Sequence, residues 1–131
     1  MTIERFRIDG AAIGTIDDLY DQLNALLMAD EDWRMGANLD ALDDVLYRFD
    51  HDLARAPHAE FVWDGHAHSE RALGLETTRR WLEAKLDRPG MFNESGIRRQ
   101  LEQLLDGEGK TYFEIVCQVF GDHPGVRLDL R

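Results

Sequence analysis

An α/β fold, a small parallel sheet of three strands packed against helices, is what this sequence predicts, and the prediction rests on three observations. Short runs of strand character stand near the start, middle and end of the chain, at 3–8, 60–63 and 126–130. Between them lie segments whose apolar residues recur at helical spacing. Strands separated by helices need crossover connections rather than hairpins, so they run parallel, and such crossovers are right-handed.

In order, Ile3 to Ile8 reads as a strand in which Phe6 and Ile8 share one parity, and Asp9-Gly10 ends it. Thr15 caps a first helix, with Asp18 three residues on in the place of a capping-box acid. Ile16, Leu19, Tyr20, Leu23, Leu26 and Leu27 form its apolar stripe, whose task is core packing. A loop rich in Asp and Glu, 28–37, leads to Asn38, a good N-cap, and a second helix running to about Phe49 or Asp50. After Pro57, Glu60-Phe61-Val62-Trp63 is a strand ended by Asp64-Gly65. Leu75 to Leu86 and Glu94 to Leu105 are helical, with Pro89-Gly90 between them. A last helix carries Phe113, Val116, Cys117 and Phe120 and closes at Gly121; Pro124-Gly125 turns the chain into Val126, Leu128 and Leu130, which alternate with charged residues as a half-buried strand does.

With 131 residues, 44% of them hydrophobic and 31% charged, the chain can bury a real core in one domain. No repeat, low-complexity tract or long linker marks a second one. A formal charge of -11 argues against nucleic acid as a direct partner, since phosphate binding needs a basic patch; it suits attraction to a basic protein, although excess acid also serves plain solubility. Cys117 is alone, which removes any intramolecular disulfide, and its apolar helical setting reads as core rather than nucleophile. No basic start followed by an apolar run stands at the N-terminus and no stretch reaches membrane-spanning length, so a cytoplasmic location is expected.

The most informative stretch is 33–47. Leu39, Leu42 and Leu46 share one face of the second helix and read as core, while Asp40, Asp43, Asp44 and Tyr47 mark another face. Taken alone this is an amphipathic helix with a solvated acidic side, and acids in a first turn suit the helix dipole. Yet Gly36-Ala37-Asn38-Leu39-Asp40-Ala41-Leu42, with an acid at Asp44, resembles the G-x-N-L-D-A-L-x-D signature of the barstar family, intracellular inhibitors of barnase-type ribonucleases. Ile8-Asp9-Gly10 and Ile16-Asp17-Asp18-Leu19 resemble that family's first strand, turn and helix, and Gln118-Val119-Phe120 gives a weaker match near the C-terminus.

The resemblance implies a three-stranded parallel sheet on helices, with the segment at roughly 75–110 as an extra helical insertion in a single domain of 1–131. It also implies a function: binding and blocking the active site of a basic ribonuclease, without catalysis or cofactor. By motif matching, Asp44 is the carboxylate that pairs with the cations of the nuclease, and Asp40 is a second contact or a helix-start acid. Asn38 is the loop-to-helix residue, Gly36 allows close approach of the loop, and Asp122 falls where the family carries another acidic contact. Asp43 is expected at the rim. The family's aromatic residues before the glycine and its Trp before the key acid are replaced here by Arg34, Met35 and Asp43. Trp33, one position further upstream, is either a displaced anchor for the partner or a residue packed on the body. Arg34 would meet a basic surface unfavourably unless an acid neutralises it. These departures leave open a barstar-fold interaction protein with a basic partner that is not a nuclease.

An enzymatic reading has one signal, Asp64-Gly65-His66-Ala67-His68. An extended chain would put His66 and His68 on one face, as in some metal hydrolases, with Asp50-His51-Asp52 as further ligands. Gly65 argues for a turn there, which makes both histidines solvated loop residues. No G-x-S-x-G, P-loop or paired-cysteine motif occurs. Asp43 and Asp44 diverge by roughly 100° on a helix and cannot converge on one substrate as a catalytic pair.

Overall fold

The structure, a computed structural model, describes residues 3–88 and 90–131. Three parallel strands, β1 (Glu4–Asp9), β2 (Ala59–Asp64) and β3 (Val126–Leu130), form a sheet in the order β1-β2-β3, with Phe6 opposite Phe61 and Phe61 opposite Leu128. Six helices connect them: α1 (Ile16–Leu27), α2 (Leu39–Leu46), α3 (His66–Ala72), α4 (Leu75–Leu86), α5 (Glu94–Leu105) and α6 (Tyr112–Gly121). The expected α/β class therefore holds.

The central strand carries the core. Ala59, Phe61 and Trp63 share one parity and are fully buried under the helices. Phe61 stacks on Phe6 at 4.8 Å and meets Phe120 edge-on at 4.9 Å, and Trp63 packs on Phe113 of α6 at 5.1 Å. The opposite parity is mostly polar, apart from Val62, and ion pairs lace it across the strands: Arg7 to Asp64 at 2.7 Å, Arg5 to Glu60 at 3.6 Å and Arg127 to Glu60 at 3.5 Å, each with at least one exposed partner. Such exposed pairs contribute about 0–1 kcal/mol each, so the apolar face decides the stability of the sheet.

Local signals are realised where the chain supplies its own partner. Thr15 Oγ1 accepts from Asp18 N at 3.1 Å while Asp18 Oδ2 accepts from Thr15 N at 3.1 Å, the reciprocal cap expected for α1. Asn38 Oδ1 accepts from Asp40 N at 2.8 Å and starts α2, whose apolar side, Leu42, Val45 and Leu46, is buried. A 3-10 turn, Tyr47–Phe49, continues α2 close to the expected end. Gly125 lies against that turn so tightly that a Cβ would stand 1.8 Å from the Phe49 carbonyl oxygen, which fixes where β3 begins relative to α2.

The loop expected around His66 and His68 is a helix, α3. Gly65, at φ 64°, does turn the chain, but it turns it into a helix instead of a loop. Ser69 accounts for this: it is fully buried, accepts from Trp63 Nε1 at 3.0 Å and donates to Gly10 O at 2.9 Å, so α3 is pinned by a hydroxyl instead of an apolar stripe. On a helix, residues two apart point to different sides. His66 Nδ1 bonds the Arg131 carbonyl oxygen at 2.8 Å, and His68 is exposed.

The α4–α5 hairpin has a small core of its own, Leu82, Ile97 and Leu104, joined to the main one through Trp81, which meets Tyr112 edge-on at 4.9 Å. The buried hydroxyls of Tyr112 and Tyr20 bond each other at 2.9 Å, tying α6 to α1. No helix among the described residues is long and apolar enough to cross a membrane. Cys117 is half-buried, and burial, with Glu70 and Glu114 nearby, pushes its thiol up to about 11, which leaves it protonated and unreactive near neutral pH.

Candidate partner-binding site

The acidic loop before α2 is anchored from beneath. Asn24, buried on α1, donates from Nδ2 to Met35 O at 2.9 Å and accepts from Met35 N at 2.7 Å, a two-point latch on the loop backbone. Met35 is itself buried, whereas Trp33 stands 52% exposed, so the loop turns its sulfur inward and its indole outward. Arg34 lies 3.9 Å from Asp21, a weak pairing between exposed groups that supplies the acid it needs. Gly36 has no positive φ, and a Cβ there would meet nothing within 4 Å. The isolated chain has no steric need for glycine at this position.

The acids of α2 separate into two kinds. Asp40 and Asp44 are exposed and make no ion pair among the described residues. Asp43 is committed: its Oδ1 lies 2.7 Å from Nε2 of His123, a residue buried to 2% exposure just after α6. The other ring nitrogen, Nδ1, lies 2.6 Å from Asp50 Oδ2, and Asp50 also accepts from Gly125 N at 2.9 Å. Tyr47 closes the cluster with its ring edge-on to the imidazole at 4.7 Å. One imidazole thus bolts α2 to the turn that starts β3. Asp122, the expected further acid, is exposed and directly precedes this histidine in the chain. The sequence offered no sign of the clamp, because nothing in local spacing links His123 to partners 73 and 80 positions away.

A neutral imidazole can donate from only one nitrogen, yet both face carboxylate oxygens at hydrogen-bond distance. Burial opposes the charge on His123, but the bonds to Asp50 and Asp43 outweigh it and raise its pKa above the ordinary value. A raised histidine pKa stabilises the fold fully below the unfolded value of about 6.5, and that contribution is lost as pH rises through the folded value. The unfolding midpoint of the wild-type chain should therefore fall as pH rises above about 6.5, and His123→Gln should lack that component. A common slope for the two proteins over that range would show that the clamp holds no extra proton.

Beside the N-terminus of α2 lies a groove of about 500 Å³, lined by residues 37–40 on one side and by Trp81, Lys85, Arg88 and Phe92 of the α4–α5 hairpin on the other. The Lys85 ammonium stands 3.9 Å over the Trp81 ring. As for metal, His51 stacks on His58 at 4.0 Å, and among the described residues no three of His, Cys, Asp and Glu gather into a ligand set.

A family model, Barstar (barnase inhibitor), matches residues 3–96. The chain belongs to the barstar family. No curated protein matches it. The matched span holds β1, α1, the latched loop, α2, β2, α3 and α4, and so includes the stretch at 36–44 whose capped helix and exposed acids are described above. Asp122 and His123 lie beyond the matched span. Members of the barstar family are inhibitors that bind nuclease partners, rather than enzymes.

Proposed function

We propose that this barstar-family chain is a cytoplasmic inhibitor of a basic ribonuclease, blocking the active site of the nuclease with the loop and acidic face at residues 33–47. The observation that carries the reading is the division of labour along α2: Asp43 is spent on His123, while Asp44 and Asp40 stay exposed on a helix capped by Asn38 and fixed beneath by Leu42 and Leu46. A nuclease that binds RNA phosphate with Arg, Lys and His offers cations to whatever anion reaches its pocket. A carboxylate on a rigid support takes the phosphate position and pairs with them. Asp44 is that carboxylate, Asp40 a second contact, Trp33 the exposed aromatic anchor, and Gly36 and Asn38 bring the loop close; Asp122 is a further acidic contact. The net charge of -11 steers the encounter. The helical segment at roughly 75–110 is an insertion into a single domain of this family.

The test is a titration of barnase-type ribonucleases with the purified protein at low and high salt. Stoichiometric inhibition is expected, with association slowing as salt rises. Wild-type protein that inhibits none of them would refute the function. A basic partner other than a nuclease is then favoured, and one observation already leans that way: the positions that carry the family's aromatic residues hold an Arg34 held near Asp21 and a Met35 turned into the core.

A further inference from the structure

The groove between α2 and the α4–α5 hairpin differs in charge from the rest of the candidate interface. Lys85, in the last turn of α4, and Arg88, in the bend just beyond that helix, both line it. Neither makes an ion pair among the described residues, although the chain as a whole carries 26 acids against 15 basic residues. Lys85 is half-buried, its ammonium held 3.9 Å from the Trp81 ring and 5.5 Å from that of Phe92. Burial lowers its pKa, and Asp40, on the opposite wall, opposes that shift. A cation that is partly stripped of water and held by ring faces gains more from an arriving carboxylate than a fully hydrated one does. Phe92, 39% exposed, gives the same groove an apolar lip, and Met91 beside it is 67% exposed.

The geometry points to this groove as a second contact for the proposed partner, receiving an acidic side chain and its apolar neighbour from the rim of the bound nuclease. The inference rests on the inhibitory function proposed above and adds a specificity element to it. A free small anion is a poor occupant, because Asp40 stands on the rim and the whole molecule repels anions. A protein already held at Asp44 delivers its carboxylate at high effective concentration, which removes that objection. The interface is then bipolar, acid on α2 and base at the end of α4 and just beyond it. It accepts basic nucleases that carry an acid beside the cleft and rejects those with a cation there.

Charge reversal separates this from general electrostatics, because the two expectations have opposite signs. Making an acidic inhibitor still more acidic should tighten its binding to a basic nuclease if only overall charge matters. A contact in the groove demands the reverse. The probe is a barnase-type ribonuclease that the wild-type chain inhibits, and the readout is the inhibition constant of Lys85→Glu, Arg88→Glu and the double variant. Lys85→Met, which keeps an apolar stem on Trp81, is measured alongside, each with its unfolding midpoint. Arg88→Glu should bind more weakly with an unchanged midpoint, and the double reversal about 10- to 100-fold more weakly; both should recover when an acidic residue on the rim of the nuclease is changed to Lys. Equal or tighter inhibition by Arg88→Glu, which is exposed and safe for folding, overturns the groove contact and leaves the inhibitor reading standing. A wild-type chain that inhibits no such ribonuclease overturns both.

Discussion

Asp44→Ala should weaken binding to the cognate ribonuclease by orders of magnitude while leaving the stability of the free protein almost untouched. Binding has to strip water from the guanidinium and ammonium groups around the phosphate pocket of the nuclease, and the aspartate compensates for that. Truncated, it leaves those cations buried without a partner, the most damaging way to break a charged contact. Close charge pairs in the barnase–barstar complex, which gives this family its name, couple by about 1.5–7 kcal/mol. Carried over to this chain, that range spans roughly one to five decades of affinity. The free protein loses little, because Asp44 is exposed and makes no ion pair among the described residues. Its favourable position on the helix dipole contributes only about 0.3–1 kcal/mol. Asp43→Ala should behave differently. Asp43 is tied to His123, so its removal costs stability by leaving a buried imidazole with one carboxylate partner instead of two, and if it lies at the rim of the proposed interface its loss should add only a salt-dependent effect on association. Titrating nuclease activity against both variants at two salt concentrations checks the pair. Equal inhibition by Asp44→Ala and wild type would remove the active-site plug.

Leu42→Ala and Leu46→Ala should each cost about 2–5 kcal/mol of stability. Both side chains have no exposed surface, and both lie on the face of α2 that meets the sheet and α6. The penalty combines the lost transfer free energy with the cavity left behind, and α2 has little freedom to collapse into it. Asn38 holds its N-terminus, and the His123 clamp with the Gly125–Phe49 approach holds the other end. Affinity for the nuclease should fall only as far as the folded fraction falls. Denaturation midpoints near wild type for both variants would mean that α2 is not seated as described.

Much of this was legible along the chain. The strand parities of Phe6 and Ile8, the stripe of α1, the Thr15–Asp18 cap, the Asn38 cap and the face of Leu42 and Leu46 all follow from residues within a few positions of one another. Local period and capping chemistry are enough to place them. The motif at 36–44 was legible for the same reason, and it carried the family. α3 was not, because its one buried side chain is that of Ser69, which reads in sequence as a polar residue in a polar run.

The composition of the acidic face was likewise fixed by sequence, since helical spacing alone puts Asp40, Asp43, Asp44 and Tyr47 around one side of α2. Which of those acids is free was not. His123 arrives 80 positions later and takes Asp43, and Lys85, 45 positions after Asp40, comes to face it across a groove. A repeat along one helix needs only the chain's own geometry. A charge pair between elements exists only once the sheet has set their distance and burial has removed the competing water, and no spacing in the sequence encodes either.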